Sequence, residues 1–218
     1  LDIHTDEFIV LDGSCLAGKG RMIDLLHEIT KLQVNRARHA NPLTLLPGNV
    51  PIQQLLQKLF RQSVAFAVCY FDLDNFKPFN DFFGFSRGDK VIRFVAELLT
   101  ANIDDQVDFI GHIGGDDFVA VFRSANWRDT VERILLQFDD SIGGLYIGHI
   151  GCVITAADRD GRERQYGQMT LSVGAVAVRP SQWRCHIDLS EEASIAKHHA
   201  KAMPGSSLYV HELQVEPP

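Results

Sequence analysis

The sequence predicts an α/β domain in which helices flank a central mixed, mostly antiparallel sheet, preceded by an N-terminal helix. Three observations carry that prediction. The apolar run from Val64 to Phe71 holds no charge and reads as a central strand covered on both faces. Segments with apolar residues at helical spacing alternate with strand-like runs along the chain. Gly114-Gly115 lies between two such runs and signals a hairpin, a connection that parallel wound sheets lack.

The elements follow in order. Phe8 to Leu11 reads as a short strand, followed by a turn at Asp12-Gly13 and a glycine-rich stretch. From Arg21 to about His39, Met22, Leu25, Leu26, Ile29 and Leu32 fall at helical spacing. That helix either packs on its own domain or pairs with a copy of itself as a signalling helix. Asn41 to Asn49, with two prolines and a glycine, breaks it. The next helix, Pro51 to Arg61, buries Ile52, Leu55, Leu56, Leu59 and Phe60. Phe76 to Phe83 is a short helix. Ser86 is expected to cap a longer one with Asp89 three residues on, where an acid suits the helix dipole. Trp127 to Phe138 is amphipathic. Leu145 to Thr155 and Gln168 to Val178 read as strands joined by a turn at Arg159 to Arg162. A last helix runs from Ser190 to about Met203, and Leu208 to Val210 closes the sheet as an edge strand.

With 218 residues, 45% hydrophobic and 22% charged, the chain is large enough for one domain with an appendage. The net charge of −7 argues against non-specific nucleic-acid binding, which depends on basic patches. It leaves room for a nucleotide substrate, because a bound metal ion offsets phosphate charge locally. Cys15, Cys69, Cys152 and Cys185 lack metal-finger spacing and read as reduced thiols of a cytoplasmic protein. No run approaches the roughly eighteen apolar residues of a membrane span, and no signal peptide is visible. The chain starts at Leu1, as a piece of a longer protein would.

The chemistry gathers at two acidic points. The apolar strand ends in Phe71-Asp-Leu-Asp74, and alternation sends Asp72 and Asp74 to one face and Leu73 to the other. The hairpin His112-Ile-Gly-Gly-Asp-Asp-Phe118, with Val119 to Phe122 as return strand, would bring Asp116 and Asp117 close to Asp72. Either point alone reads as a turn or a helix cap. Together, carboxylates converging at strand ends repel one another unless a cation lies between them. Oxygen ligands of this kind suit Mg2+ (or Mn2+), held by Asp72, the Leu73 carbonyl and Asp116, with Asp117 nearby. The expected chemistry is phosphoryl or nucleotidyl transfer. Gly114 and Gly115 let backbone approach a nucleotide closely. Lys77, the amides around Asn75 and Phe76, and Lys201 of the last helix can meet phosphate oxygens.

Phe71-Asp-Leu-Asp-Asn-Phe-Lys77 with Asn80, then Gly84 and Gly88-Asp89, then Gly114-Gly-Asp-Asp-Phe118 resembles the GGDEF domain family, the diguanylate cyclases. Ser172-Val-Gly174 matches the family's Ser-x-Gly strand. The resemblance implies a ferredoxin-like, nucleotidyl cyclase and polymerase-palm type fold over 41–213, with 214–218 as a C-terminal tail. It implies that 1–40 is the tail of an upstream domain, which resembles a CBS-type module, plus a signalling helix. It further implies bacterial second-messenger signalling in which two GTP condense to cyclic di-GMP and pyrophosphate, each half of a homodimer presenting one GTP. By motif position, Asn80 and Asp89 recognise guanine, Asp72 holds metal, Asp116 and Asp117 are catalytic, and Lys201 binds phosphate.

Several positions depart from the family pattern. Asp117 replaces glutamate, His112 replaces the arginine two residues before the Gly-Gly pair, and Phe85 replaces a common histidine. Ser206 stands where an arginine is expected after the last helix, and the product-binding Arg-x-x-Asp reads Asp105-Gln-Val-Asp108. The alternative these departures support is a catalytically weak relative that binds GTP or cyclic di-GMP and regulates a partner domain. Aspartate at 117 also shortens a catalytic side chain by one methylene, so any turnover is expected to be slow.

Overall fold

A computed structural model of the chain describes residues 6–146, 153–157, 161–179 and 186–212. The chain divides into two compact units, residues 1–40 and 41–218. In the first unit, β1 (Glu7–Asp12) and β2 (Cys15–Arg21) form an antiparallel hairpin that turns at Gly13, and α1 (Met22–His39) follows. The glycine-rich stretch after the turn is β2. Its glycines are costly to fix in a strand, and the ladder with β1 pairs their backbone. The Met22 amide donates to the Asp6 carbonyl at 2.6 Å, and Arg21 pairs with Asp24 at the helix start. No residue of α1 is buried, and its stripe of Met22, Leu25, Leu26, Ile29 and Leu32 is exposed.

The second unit is built on a five-stranded sheet. In chain order it contains α2 (Asn49–Arg61), β3 (Phe66–Asp74), α3 (Phe76–Phe83), α4 (Phe85–Asn102), β4 (Phe109–Gly114), β5 (Asp117–Phe122), α5 (Trp127–Ile142), β6 (Ile154–Ala157), β7 (Glu163–Tyr166), β8 (Thr170–Val178), α6 (His186–Lys201) and β9 (Ser207–His211). The sheet order is β4-β5-β3-β8-β9. β3 is the central strand and is antiparallel to both β5 and β8, while β9 runs parallel to β8 at the edge. The mixed, mostly antiparallel sheet expected from the sequence is the one observed.

Strand alternation divides the core into two layers. On one face of β3, Cys69, Phe71 and Leu73 pack with Phe79 of α3, Val91, Val95 and Leu99 of α4, and Ile134 and Phe138 of α5. On the other, Phe66 and Val68 meet Ile52, Leu56 and Leu59 of α2 and Leu189, Ala193 and Ala196 of α6. Asp72 and Asp74 continue the second series and so point to the α6 side. In β5, Asp117 falls in register with Val119 and Val121 of that same layer. The register Phe71↔Phe118 sets Asp72 beside Asp117 across the ladder.

Four expectations are corrected. α4 starts at Phe85 behind Gly84 (φ 85°), so Ser86 lies inside the first turn and Asp89 beyond the position where the dipole favours an acid. α5 continues to Ile142, because Ile142 extends the buried stripe of Val131, Ile134, Leu135 and Phe138, and a 3-10 turn at Gly143–Leu145 ends it. Leu145 is thus not the start of a strand; 147–152 lie outside the described residues, and the strand observed begins at Ile154. β7 pairs with β6 in a separate two-stranded sheet. Its Glu163-Arg-Gln sequence is exposed and offers no alternating pattern to read. The expected turn at 159–162 falls partly outside the described residues. The last helix begins at His186 and ends at Lys201, earlier than expected at both ends.

Candidate active site

The end of β3, the β4–β5 hairpin and the last turns of α6 meet in one acidic corner. Asp72 is 5% exposed, and one of its oxygens pairs with Lys197 and the other with Lys201. Lys197 also donates to the Asp117 carboxylate. Asp74 is fixed differently: its Oδ2 accepts from Thr170 Oγ1 at 2.8 Å and Ser172 Oγ at 2.5 Å, both on β8. Burial, then the charge of Asp72, holds the Asp116 carboxyl above its ordinary value. Burial alone would lower the Lys197 ammonium, but the Asp117 and Asp72 carboxylates outweigh it and raise its pKa.

Gly174 explains how α6 comes so near. A Cβ there would lie 2.3 Å from the Lys197 backbone nitrogen, so only glycine lets the helix lie on β8 at this depth. With α6 seated, Lys197 and Lys201, one helical turn apart on the same face, reach the strand ends. The hairpin turn needs its glycines as well. Gly115 has φ 58°, and no heavy atom lies within 4 Å of a Cβ built there, which leaves open space above the turn.

A cavity of about 510 Å³ opens beside this corner, lined by Leu73, Phe76, Lys77, Asp116, Thr170 and Lys201 among others. It gathers most of the expected metal and phosphate residues. Lys77 stands at its rim, exposed and paired with Asp81 at 2.6 Å. Asn75, left-handed at φ 62°, turns β3 into α3.

On the far side of Phe76 lies a second cavity of about 360 Å³, lined by Leu43, Phe76, Asn80, Asp89, His112 and Gly115 among others. Asn80 Oδ1 is buried there without a hydrogen-bond partner, an arrangement that costs about 1–3 kcal/mol unless a ligand supplies a donor. Gly88 makes room for that amide: a Cβ at 88 would sit 1.8 Å from Asn80 Oδ1. Asp89 is exposed at the rim, and Asn80 and Asp89, expected to act together, do line one pocket.

The structure also shows residues that sequence reasoning passed over. Lys197 is the chief one. Its signal was present in the four-residue spacing from Lys201, which puts both on one helix face, but a lysine pair late in a helix also suits the dipole. His112, read in the sequence only as a replacement for an arginine, gains a structural role. It is 1% exposed, contacts Thr44 Oγ1 through Nδ1 (2.9 Å) and the Gly115 carbonyl through Nε2 (3.0 Å), and stacks on Phe118 at 4.2 Å. Asp108 of the altered product-binding motif is already engaged, accepting from the amides of Arg123 (2.7 Å) and Ser124 (3.0 Å) and from Ser124 Oγ (2.7 Å).

The acids fit a divalent cation by chemistry, since three carboxylates and a backbone carbonyl are hard oxygen donors. Their positions add a condition. Among the described residues no group of three or more His, Cys, Asp or Glu side chains is arranged to hold a metal ion. Lys197 instead bridges two of the three acids.

The sheet order, the acids on its central strands and the flanking helices define a domain of the nucleotidyl cyclase and polymerase-palm class. Residues 38–141 match the family model described as diguanylate cyclase, GGDEF domain, and the chain carries a GGDEF domain of the diguanylate cyclase type. It is 34% identical over 203 residues to the bifunctional diguanylate cyclase/cyclic di-GMP phosphodiesterase MucR of Pseudomonas aeruginosa, covering 88% of this chain and 26% of MucR. It is 32% identical over 101 residues to the diguanylate cyclase DgcP of the same organism, covering 43% of this chain and 15% of DgcP. The chain therefore spans about a quarter of MucR and less of DgcP. Among solved structures it is similar to the coiled coil and GGDEF domain of DgcB from Caulobacter crescentus in complex with c-di-GMP. There the TM-score is 0.63 and the identity 22%, over 87% of this chain and 97% of that one. The diguanylate cyclase SiaD of Pseudomonas aeruginosa, in complex with its activator SiaC, gives a TM-score of 0.65 at 19% identity, over 87% of this chain and 68% of that one. Diguanylate cyclases of the GGDEF type are metal-dependent. No helix among the described residues is long and apolar enough to cross a membrane.

Proposed function

We propose that this chain is the catalytic domain of a diguanylate cyclase, binding GTP and forming cyclic di-GMP as a homodimer in the bacterial cytoplasm. The observation that carries the reading is the buried, unpartnered Asn80 Oδ1, which shares its pocket with Asp89 and lies across Phe76 from the acidic corner. An amide oxygen and a carboxylate together accept from the N1–H and N2–H2 edge of guanine, and a site built this way rejects bases that leave its polar groups unpaired. Asp72, the Leu73 carbonyl and Asp116 would hold Mg2+ or Mn2+, which supplies Lewis acidity and offsets phosphate charge when bound. Lys201, Lys77 and the amides around Phe76 would meet phosphate oxygens, and Gly114-Gly115 lets the nucleotide lie close to the backbone.

In the overall reaction, the 3′-hydroxyl oxygen of each GTP bonds to the α-phosphorus of the other. Each bond to pyrophosphate breaks with its electron pair leaving on the pyrophosphate, and each hydroxyl proton passes to solvent or a nearby acid. The ring carries two phosphodiesters, and two pyrophosphates depart. Asp117 is placed by motif to assist, and its shortened side chain makes a slow enzyme the expectation. Residues 1–40 fit the end of a CBS-type regulatory domain and a signalling helix.

The test is direct: purified chain, GTP and Mg2+, with products separated by chromatography. Cyclic di-GMP and pyrophosphate are expected in a one-to-two ratio, and GTP left unchanged under dimer-promoting conditions would refute catalysis. A second reading, a GGDEF domain that binds GTP or cyclic di-GMP and regulates a partner domain, is favoured by the lysine that already bridges the acids. GTP binding without product would select it.

A further inference from the structure

We propose that Lys197 is a built-in cation of the acidic corner, occupying one oxygen of Asp72, an acid that would hold the divalent ion, and tying it to Asp117, and so setting a threshold for metal loading. The inference rests on the metal-dependent reading of the corner given above.

Asp72 and Asp117 lie side by side on adjacent strands and face α6, and the Lys197 ammonium touches both. Asp117 does not need it for solvation, whereas on the buried Asp72 it serves one of the two oxygens. Asp72 has Lys201 on its other oxygen, and Asp117 is 39% exposed, so water can serve it. What the ammonium does is neutralise: three carboxylates face two ammoniums, and the pull on an incoming dication falls accordingly. A dication beside that ammonium would also be repelled twice as strongly as a unit charge.

The lysine's backbone cannot yield, because its nitrogen lies against Gly174. The side chain can. It is 25% exposed, and besides Asp117 it lines a cavity of about 360 Å³ with Gln53, Tyr70, Ile113 and Ser190. Metal loading therefore requires the ammonium to rotate out of the acidic corner while the helix stays in place. Bound GTP favours that exchange because its phosphate oxygens share the metal ion and add to the pull that displaces the ammonium. Lys197 thus couples metal occupancy to nucleotide occupancy and keeps the corner closed to free metal ions.

The probe is Mn2+, titrated into the full chain without nucleotide and followed by calorimetry and by loss of the free-ion electron paramagnetic resonance signal. Lys197→Met keeps the stem and removes the charge, while Lys197→Arg keeps the charge. Lys197→Met is expected to bind Mn2+ about tenfold more tightly than the unmodified chain, and Lys197→Arg within about twofold of it. Thermal melts establish that each variant is folded, and Lys197→Gln replaces Lys197→Met if the latter is not. Equal Mn2+ affinity in all three proteins, or weaker binding in the uncharged variant, overturns the inference and leaves the metal site standing. Absence of Mn2+ binding in every protein, even with GTP present, overturns the metal site itself.

Discussion

The two cavities that flank Phe76 are finished in opposite ways. In the acidic corner three of the four acids have an answer from within the chain: Asp72 from two lysines, Asp117 from Lys197, Asp74 from two hydroxyls of β8. In the pocket beyond Phe76 a buried amide oxygen has none. A buried polar group left unpaired by the chain calls for a partner from outside it, a ligand or an ordered water. A corner whose acids are already held by its own lysines must be opened before it can bind. The pocket should therefore govern which nucleotide binds and how tightly, and the corner how fast anything happens afterwards.

The largest expected effect sits in the corner and should leave affinity alone. Asp117→Glu restores the reach of the family's acid, and a misplacement of about 1 Å can cost roughly a hundredfold in rate. Turnover to cyclic di-GMP should rise by up to about that factor while GTP affinity stays level. Lower turnover would show that the hairpin and Lys197 are fitted to aspartate, and that the corner is not what limits the rate. Gly174→Ala comes next. Its Cβ would meet the backbone of Lys197 and Ala196 at 2.3–2.6 Å, so α6 must lift from β8. Overpacking of this kind costs about 1–3 kcal/mol, readable in urea or thermal melts, and turnover should fall with it. A melt within about 0.5 kcal/mol of the unmodified chain would mean that the helix is not pinned there.

How much of this could be read from the sequence follows the same division. The charge-free run of β3, the acids at its end and the Gly-Gly hairpin were legible because strand alternation and turn chemistry are local. Asn80 and Asp89 were legible only through motif resemblance. Nothing local tells that Gly88, one turn into α4, is what leaves space for the Asn80 amide. The spacing from Lys201 put Lys197 on the same helix face, but its bridging role was not legible, since its partners lie 125 and 80 residues away and meet it only because Gly174 lets α6 settle on β8. Ser86 looked like a cap because it is the right residue type, but the chain turns at Gly84, whose φ of 85° a serine would adopt only at a cost. β7 was missed because an exposed strand of Glu, Arg and Gln carries no period that distinguishes it from a loop.

Gly88→Ala tests the pocket from its own side. The new methyl would collide with Asn80 Oδ1, so the amide must turn away. Losing that hydrogen bond to guanine should weaken GTP by about tenfold and narrow the gap to ATP, because a net bond of this kind contributes about 1.5 kcal/mol. Thermal shifts with each nucleotide give the answer. In the unmodified chain GTP should stabilise and ATP should not; equal shifts would sink the guanine assignment and with it the contrast between the two cavities.

The smallest effect belongs to His112, which touches both regions through Thr44 at the pocket side and Gly115 at the hairpin. Burial holds its pKa below the ordinary value, and the Gly115 carbonyl and the Asp117 charge only partly offset that. The sign follows from proton counting. Between the lowered folded value and the unfolded value near 6.5, the unfolded chain binds more protons, so stability rises with pH there. The contribution is fully present above about pH 6.5 and is lost as pH falls through the folded value. Glutamine at 112 can still bond to Thr44 and Gly115 but does not titrate. Urea melts taken stepwise from pH 7.5 to 5.5 should therefore show the unmodified chain losing stability faster than His112→Gln, with the two curves approaching at the acid end. Parallel curves would mean that His112 keeps its ordinary pKa, and that the hairpin shared by corner and pocket is held by shape alone.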